Sequence, residues 1–130
     1  MEPTLEELIT AKRGVESMIA SIYYVFEMHE RLIRENLDKE DRFYYAGLVF
    51  EVGQIGENLK LGKMPEFVYV EYEHPSWSSL AKMRDRLYHG YEHINLDILY
   101  LAIEKDLPED LPFFERVEQD LQRRIDEFDL

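Results

Sequence analysis

The sequence predicts an all-α protein, an antiparallel bundle of four to five helices that forms one domain over residues 1–130. Apolar residues recur at steps of three and four over most of the chain, which is the period of an amphipathic helix. The one segment that suits a strand, residues 67–70, has no second strand to pair with. With 130 residues, of which 45% are hydrophobic, the chain is long enough to bury a single core.

The first helix is predicted to begin at Thr4, because Thr4 and Glu7 have the spacing of a capping box. An apolar stripe then runs to about Asn36, through Leu5, Leu8, Val15, Ile19, Ile22, Phe26, His29 and Ile33. Because His29 lies on this stripe, we interpret it as a core or interface histidine rather than a metal ligand.

A second helix is predicted to start at Asp38 and to lie at the centre of the bundle. Its apolar period consists of Tyr45, Leu48, Val52, Ile55 and Leu59, and Phe43, Val49 and Phe50 are expected to widen the buried face. Gly53 and Gly56 each cost about 1 kcal/mol in a helix relative to alanine. We therefore expect these glycines to permit the close approach of another helix.

Residues 62–75 contain Gly62, Pro65 and Pro75 and are predicted to be a loop. Ser76 is then expected to cap a helix that turns four side chains inward, namely Trp77, Leu80, Met83 and Leu87. Asn95 is predicted to cap a short helix that ends at Leu107-Pro108. A last helix is predicted to begin near Pro112.

Composition restricts the possible environments and partners. The net charge of −13 argues against a broad basic surface for nucleic acid, so RNA would have to bind in a local cleft. The acidity either serves solubility or docks a basic partner. The absence of cysteine excludes disulfides, and no apolar run approaches the roughly 20 residues of a membrane span. We expect a soluble cytoplasmic protein without membrane association.

The segment from Met83 to Tyr91 combines Arg84, Asp85, Arg86, His89 and Tyr91. Arginine matches phosphate oxygens, and histidine exchanges protons near neutral pH. Asp85 and His89 are four residues apart and would share one helix face, whereas Arg84 and His89 would diverge on a continuing helix. Either the helix ends near His89, with Gly90 as its left-handed cap, or the two residues meet across a twofold axis.

The same residues fit two other interpretations. Charged runs of this kind usually form a solvated, salt-bridged helix face. His89, Glu92 and His93 also match an inverted zinc-peptidase pattern, but Gly90 is unfavourable within the required helix and no third ligand is evident. We therefore predict no metal and no cofactor.

The Arg-x4-His-x-Tyr pattern, with a polar residue after the arginine, resembles the signature of HEPN-domain ribonucleases, and most closely that of HepT-type toxins. Three further stretches resemble the same family: Trp77 to Met83, the Ile-Gly-Glu step in Gln54 to Asn58, and the Asp-Leu-Pro break at Asp106. The chain departs from the family pattern at residues 58–61, where small residues are more usual.

The resemblance implies a toxin of a toxin–antitoxin pair, a homodimeric, metal-independent endoribonuclease that cleaves tRNA or mRNA. The ribose 2′-hydroxyl would attack the adjacent phosphate and leave a 2′,3′-cyclic end. His89 would act as acid or base and Arg84 would clamp the phosphate, with Asp85, Arg86 and Tyr91 in supporting roles. A partner of the MntA type, a minimal nucleotidyltransferase, would neutralise the toxin by transferring AMP to Tyr91.

The alternative is a non-catalytic helical subunit that binds a nucleotidyltransferase and helps to present its substrate. The intact signature of Arg84, His89 and Tyr91 favours the enzyme. The net charge of −13 favours the binding subunit.

Overall fold

The computed structural model describes residues 2–60, 62–87 and 95–129. All regular structure in these three ranges is helical, which confirms the predicted all-α class. None of the helices in these ranges is long and apolar enough to cross a membrane.

The first helix, α1, spans Leu5–Arg34 and begins with the predicted capping box. The Glu7 amide donates to the Thr4 hydroxyl at 3.0 Å, and the Thr4 amide donates to the Glu7 carboxylate at 3.0 Å. Most of the predicted stripe is buried, including His29, but Ile33 is 56% exposed and Leu32 is buried instead. The stripe therefore turns by about 100° at its end, the angle between neighbouring helical residues.

The second helix, α2, spans Arg42–Glu57 and starts later than predicted. Its N-cap is Asp41, whose carboxylate accepts from the Phe43 amide at 2.8 Å, whereas Asp38 caps a preceding turn by accepting from the Glu40 amide. Val49 is buried as predicted, but Phe43 is 87% exposed and Phe50 is 57% exposed. The predicted widening of the buried face was therefore wrong for both phenylalanines.

Part of the predicted loop over residues 62–75 is a short helix, α3, which spans Glu66–Glu71. Pro65 occupies its N-cap position, where the missing amide hydrogen has no cost. Val68 is fully buried, so one apolar side chain fixes the segment to the core. Gly62 and Pro65 therefore lie just before a helix and do not belong to a continuous loop.

The next helix, α4, spans Pro75–Leu87 and buries the predicted inward residues Trp77, Leu80, Met83 and Leu87. Ser76 lies in its first turn and is buried rather than serving as the predicted cap. The His74 ring accepts from the Ser76 amide at 3.1 Å and stacks on Phe113, with 4.0 Å between ring centroids. His74 thus caps α4 and joins it to the last helix.

The C-terminal part is one continuous helical stretch: α5 spans Leu96–Leu101, a π-helical segment spans Ala102–Asp106, and α6 spans Leu107–Asp126. The predicted Asn95 cap is present, with its side chain accepting from the Ile98 amide at 3.1 Å. The predicted break at Leu107-Pro108 is wrong, because Pro108 lies in the first turn of α6. Pro112 lies inside α6 rather than at its start.

Helix α1 packs against both α2 and α6, and α2 packs against α4. The fully buried side chains Met18, Leu48, Leu80 and Phe114 come from these four helices. This arrangement places the C-terminal end of α2 beside the C-terminal half of α4, where the signature segment begins.

Candidate active site at the α2–α4 junction

Helix α4 carries the first three residues of the predicted site, Arg84, Asp85 and Arg86, on its last described turn. The other two predicted site residues, His89 and Tyr91, lie outside the described residues. Gly90, the predicted helix cap, also lies outside them. The described part of the site is therefore the arginine side of the motif.

Arg84 faces α2, where its Nε donates to the Glu57 carboxylate at 3.0 Å. The Arg84 side chain is 32% exposed and the Glu57 side chain is 24% exposed, so this contact is partly shielded from water. A second carboxylate, that of Asp85, lies 3.7 Å from Nη1 of Arg84. Arg84 is thus held at the helix junction with its side chain oriented by Glu57.

Gly56 explains why α2 and α4 approach each other closely enough for this contact. A Cβ atom at Gly56 would lie 2.8 Å from the Leu80 carbonyl oxygen and 3.1 Å from the Arg84 Cβ. Such distances to backbone are not tolerated without movement of a helix. The predicted role of Gly56 in close packing is confirmed.

Glu57 also binds two lysines from the turn that follows α2. Its Oε2 is 3.2 Å from the Lys60 Nζ, and its Oε1 is 3.1 Å from the Lys63 Nζ. Hydrogen bonds from Lys63 and Lys60 lower the pKa of Glu57 below its usual range. Glu57 is consequently a fixed anion at neutral pH, surrounded by Lys60, Lys63 and Arg84; we call these three residues the cation cluster.

Arg86 points away from the cation cluster. Residues 84 and 86 are separated by about 200° around an ideal helix, and Arg86 lines a cavity between α4, α5 and α6 instead. That cavity also contains Asp106, Glu109 and Asp110. Asp85 is 80% exposed. The structure therefore separates the two arginines of the motif, and only Arg84 joins the other cations.

Glu57, Lys60 and Lys63 were not predicted as site residues. The sequence showed Glu57 only as part of the Ile-Gly-Glu step, and Lys60 only as a departure from the resembled pattern. Their spacing of three residues was the available signal, but contact with Arg84 depends on how α2 and α4 pack. An arrangement of three cations and a fixed carboxylate is chemically suited to binding phosphate.

Residues 18–117 match the sequence pattern of one protein family, the HepT-like family, which is described as "Ribonuclease HepT-like". The chain belongs to this family. A protein of Methanocaldococcus jannaschii named "Putative RNase" is 31% identical to this HepT-like chain over 83 residues, which are 64% of this chain and 67% of the relative. A protein of Thermococcus cleftensis named "Probable ribonuclease HepT" is 25% identical over 103 residues, 75% of this chain and 89% of the relative. No solved structure matches the HepT-like chain significantly.

Membership of the HepT-like family confirms the resemblance inferred from the signature segment. It also confirms the predicted enzyme class, an endoribonuclease. The matched residues 18–117 include the whole of α2 and α4, and hence the cation cluster and the complete signature from Arg84 to Tyr91.

Proposed function

We propose that this HepT-like ribonuclease cleaves RNA without a metal ion by attack of the ribose 2′-hydroxyl on the adjacent phosphate. A base removes the hydroxyl proton as the bond from O2′ to phosphorus forms. The bond from phosphorus to O5′ breaks, and an acid protonates the departing O5′. The products are a 2′,3′-cyclic phosphate and a free 5′-hydroxyl, and no water is consumed.

The observation that carries this proposal is the position of Arg84, the signature arginine, in a cation cluster at the α2–α4 junction. Charge accumulates on the phosphoryl oxygens during the reaction, and oriented cations stabilise it most effectively when they need not reorganise. Glu57 supplies this orientation through the Nε of Arg84. In the proposed mechanism Arg84 clamps the phosphate and His89 exchanges the protons, with Asp85 supporting them and Tyr91 lining the cleft. Arg86, which lines a different cavity, takes no part.

The reaction requires both a base and an acid, whereas one chain has one signature histidine. We therefore propose a twofold dimer in which two copies of the motif share one cleft. Support comes from the exposed aromatic residues of α1 and α2: Phe43 is 87% exposed, Phe50 57% and Tyr24 51%. Large apolar side chains clustered on a surface are typical of interaction sites. Sedimentation of the protein at micromolar concentration should give the dimer mass, and a strict monomer that stays monomeric with RNA would contradict the shared cleft.

The cleavage mechanism is tested by incubating RNA with purified protein in the presence of a chelator and examining the new ends. We expect cyclic phosphate ends from the wild type and none from His89→Ala or Arg84→Ala. Arg123→Ala is the matched control, because Arg123 also bonds a carboxylate through Nε, that of Asp120 at 3.2 Å, but on α6. Activity that requires a divalent ion, or that survives in both site variants, would contradict the mechanism.

The proposed biological role is that of a toxin neutralised by a nucleotidyltransferase partner. The phenolic oxygen of Tyr91 would attack the α-phosphate of ATP, form a bond to that phosphorus and release pyrophosphate. The added adenylate would place a negative charge beside Arg84 and occupy the position of RNA.

Mass spectrometry of protein co-expressed with a cognate nucleotidyltransferase tests this regulation. Adenylate should map to the peptide that contains Tyr91, and Tyr91→Phe should abolish the addition and restore toxicity. Tyr88→Phe is the control, because Tyr88 lies in the same peptide. Adenylate on another residue, or full neutralisation of the Tyr91→Phe variant, would contradict the assigned role of Tyr91.

The second candidate function is a non-catalytic subunit that binds a nucleotidyltransferase. The net charge of −13 favours it, because a strongly acidic surface suits a basic protein partner better than RNA. The two candidates differ in the chelator experiment: a purified subunit of this kind forms the complex with its partner but leaves RNA intact.

A further inference from the structure

The turn after α2 brings Lys60 and Lys63 to the same carboxylate that orients Arg84. Lys60 and Arg84 contact one oxygen of Glu57, at 3.2 and 3.0 Å, and Lys63 contacts the other at 3.1 Å. Three positive charges from two separate segments of the chain therefore meet within the reach of one side chain.

Two backbone hydrogen bonds connect Lys60 and Lys63 to the end of α2. The Lys60 amide donates to the Glu57 carbonyl at 3.2 Å, and the Lys63 amide donates to the Lys60 carbonyl at 3.0 Å. Gly62 has a φ of 87°, in the left-handed region that favours glycine. This reversal returns Lys63 toward the end of α2, so the two lysines are positioned by the fold and not only by attraction to Glu57.

The charge of the cluster is unusual for this protein. The chain has 28 acidic and 15 basic residues, yet here three cations surround Glu57. Among the contacts of the described residues, these three cations meet two carboxylates, those of Glu57 and Asp85. Lys63 also lines a cavity with Glu6, Glu7 and Glu66. Elsewhere Lys12 pairs with Glu16 and Lys39 with Glu104, one lysine to one carboxylate.

Stability of the fold gives a small reason for this accumulation, because cations near the C-terminal ends of α2 and α4 gain about 0.3–1 kcal/mol from the helix dipoles. Exposed ion pairs contribute about 0–1 kcal/mol, and placing a second and third cation near the first adds mutual repulsion. The side chains of Lys60 and Lys63 are 48% and 54% exposed, so an anion from solvent can reach both. A phosphate would bring negative charge to these two accessible lysines.

We propose that Lys60 and Lys63 form a second phosphate-binding site, which holds an RNA phosphate next to the scissile phosphate clamped by Arg84. This inference rests on the proposed function, because it takes Arg84 as the position of the scissile phosphate. Glu57 holds the three cations together in the free protein, and the RNA strand supplies the additional anions when it binds. The site explains how a protein of net charge −13 retains a single-stranded RNA substrate.

The test is the salt dependence of RNA binding, measured in the His89→Ala background so that the RNA is not cleaved. Each phosphate contact with single-stranded nucleic acid contributes a slope of about 0.7 in log affinity against log salt concentration. We expect Lys60→Ala with Lys63→Ala to weaken binding at low salt and to reduce the slope by about 1.4. The charge-conserving pair Lys60→Arg with Lys63→Arg should retain most of the affinity and the slope.

Lys39→Ala is the matched control, because Lys39 also contacts a glutamate at 3.2 Å and is 44% exposed. It should leave both affinity and slope unchanged. If the double alanine variant binds like its parent while the wild type cleaves RNA, the second phosphate site is wrong and the proposed function stands. If the wild type neither binds nor cleaves RNA, both are wrong.

Discussion

Glu57 and Glu104 each gather cationic side chains, but they lie toward opposite ends of α2 and in different surroundings. Glu57 ends α2 and contacts Lys60, Lys63 and Arg84. Glu104 lies in the π-helical segment and contacts Lys39, just before α2, and the ring of His29, both at 3.2 Å. Helix α2 has 16 residues, so the two clusters are separated by roughly 24 Å at 1.5 Å per residue.

The Glu104 cluster is balanced in charge and closely packed. Burial lowers the pKa of His29, which keeps the ring largely neutral at pH 7 and leaves one lysine for one carboxylate. The Tyr100 ring lies 5.6 Å from His29 and 5.1 Å from the Lys39 Nζ, and its hydroxyl donates to the Lys39 carbonyl at 2.8 Å. These contacts join α1, the segment before α2 and α5, as expected of a cluster that maintains the fold.

Within the part of the chain that the structure describes, the Glu57 cluster joins three cations to the carboxylates of Glu57 and Asp85, and its lysines remain accessible. We therefore expect the cations of this cluster to bind an anion that does not belong to the chain. A carboxylate that contacts several basic side chains is therefore not by itself evidence of a functional site. A local excess of positive charge on exposed side chains distinguishes a binding site from a structural ion pair.

The largest expected difference between the two clusters is the effect of a substitution on catalysis. Glu57→Gln removes the anion that orients Arg84 and should lower kcat roughly tenfold to a hundredfold, as expected when a catalytic group is misplaced by about 1 Å. RNA affinity should be retained or increased, because the cations lose their internal competitor. Glu104→Gln, the matched variant, should leave kcat and KM unchanged.

Single-turnover cleavage and RNA binding measured on both variants check this prediction. Equal losses of kcat in the two variants would show that the Glu57 cluster has no special relation to the reaction. Loss of RNA affinity in Glu57→Gln without a change in kcat would show that Glu57 supports binding rather than the orientation of Arg84.

Two glycines of α2 provide a smaller and purely structural contrast. Gly56→Ala should destabilise the protein by about 1–3 kcal/mol, because its Cβ would meet the Leu80 carbonyl oxygen at 2.8 Å. Gly47→Ala meets only the mobile end of Met28, at 2.7 Å, and gains helix propensity worth about 0.5–1 kcal/mol. Urea unfolding measures both, and equal stability of the two variants would contradict the close approach of α2 and α4.

The smallest expected effect is the pH dependence of the Glu104 cluster. The pKa of His29 is lowered by burial, and Lys39 lowers it further while Glu104 opposes this shift. As the pH falls through about 6.5, the unfolded chain therefore gains a proton at this residue before the folded protein does, and stability decreases. His29→Gln should show a weaker decrease between pH 8 and pH 5, where Glu104 stays ionised because Lys39 lowers its pKa. A variant with the same decrease as the wild type would contradict the lowered pKa of His29.

Local signals in the sequence predicted the local features of the fold. The caps at Thr4 and Asn95 depend on residues three positions apart, and the buried face of α4 follows from helical spacing. The close packing at Gly56 was also predicted, because glycine destabilises a helix interior and is therefore expected there where another helix approaches closely. These features require no knowledge of distant contacts.

The features that were missed depend on contacts between segments. Phe43 and Phe50 are exposed because no neighbouring helix within the described chain covers that side of α2. Pro108 does not end a helix because the preceding segment is π-helical and leads directly into α6. The link from Glu57 to Arg84 joins residues 27 positions apart and exists only because α2 and α4 are in close contact.

The most direct test of a phosphate-binding α2–α4 junction is lysine footprinting by mass spectrometry, with and without RNA, on the His89→Ala variant. RNA should protect Lys60 and Lys63 from acetylation and leave Lys39 as reactive as in the free protein. Since Lys39 contacts its own glutamate at the same distance as Lys60, the comparison removes the effect of the ion pair itself. Protection of Lys39 with continued reactivity of Lys60 and Lys63 would place RNA at the other end of α2 and contradict the assignment.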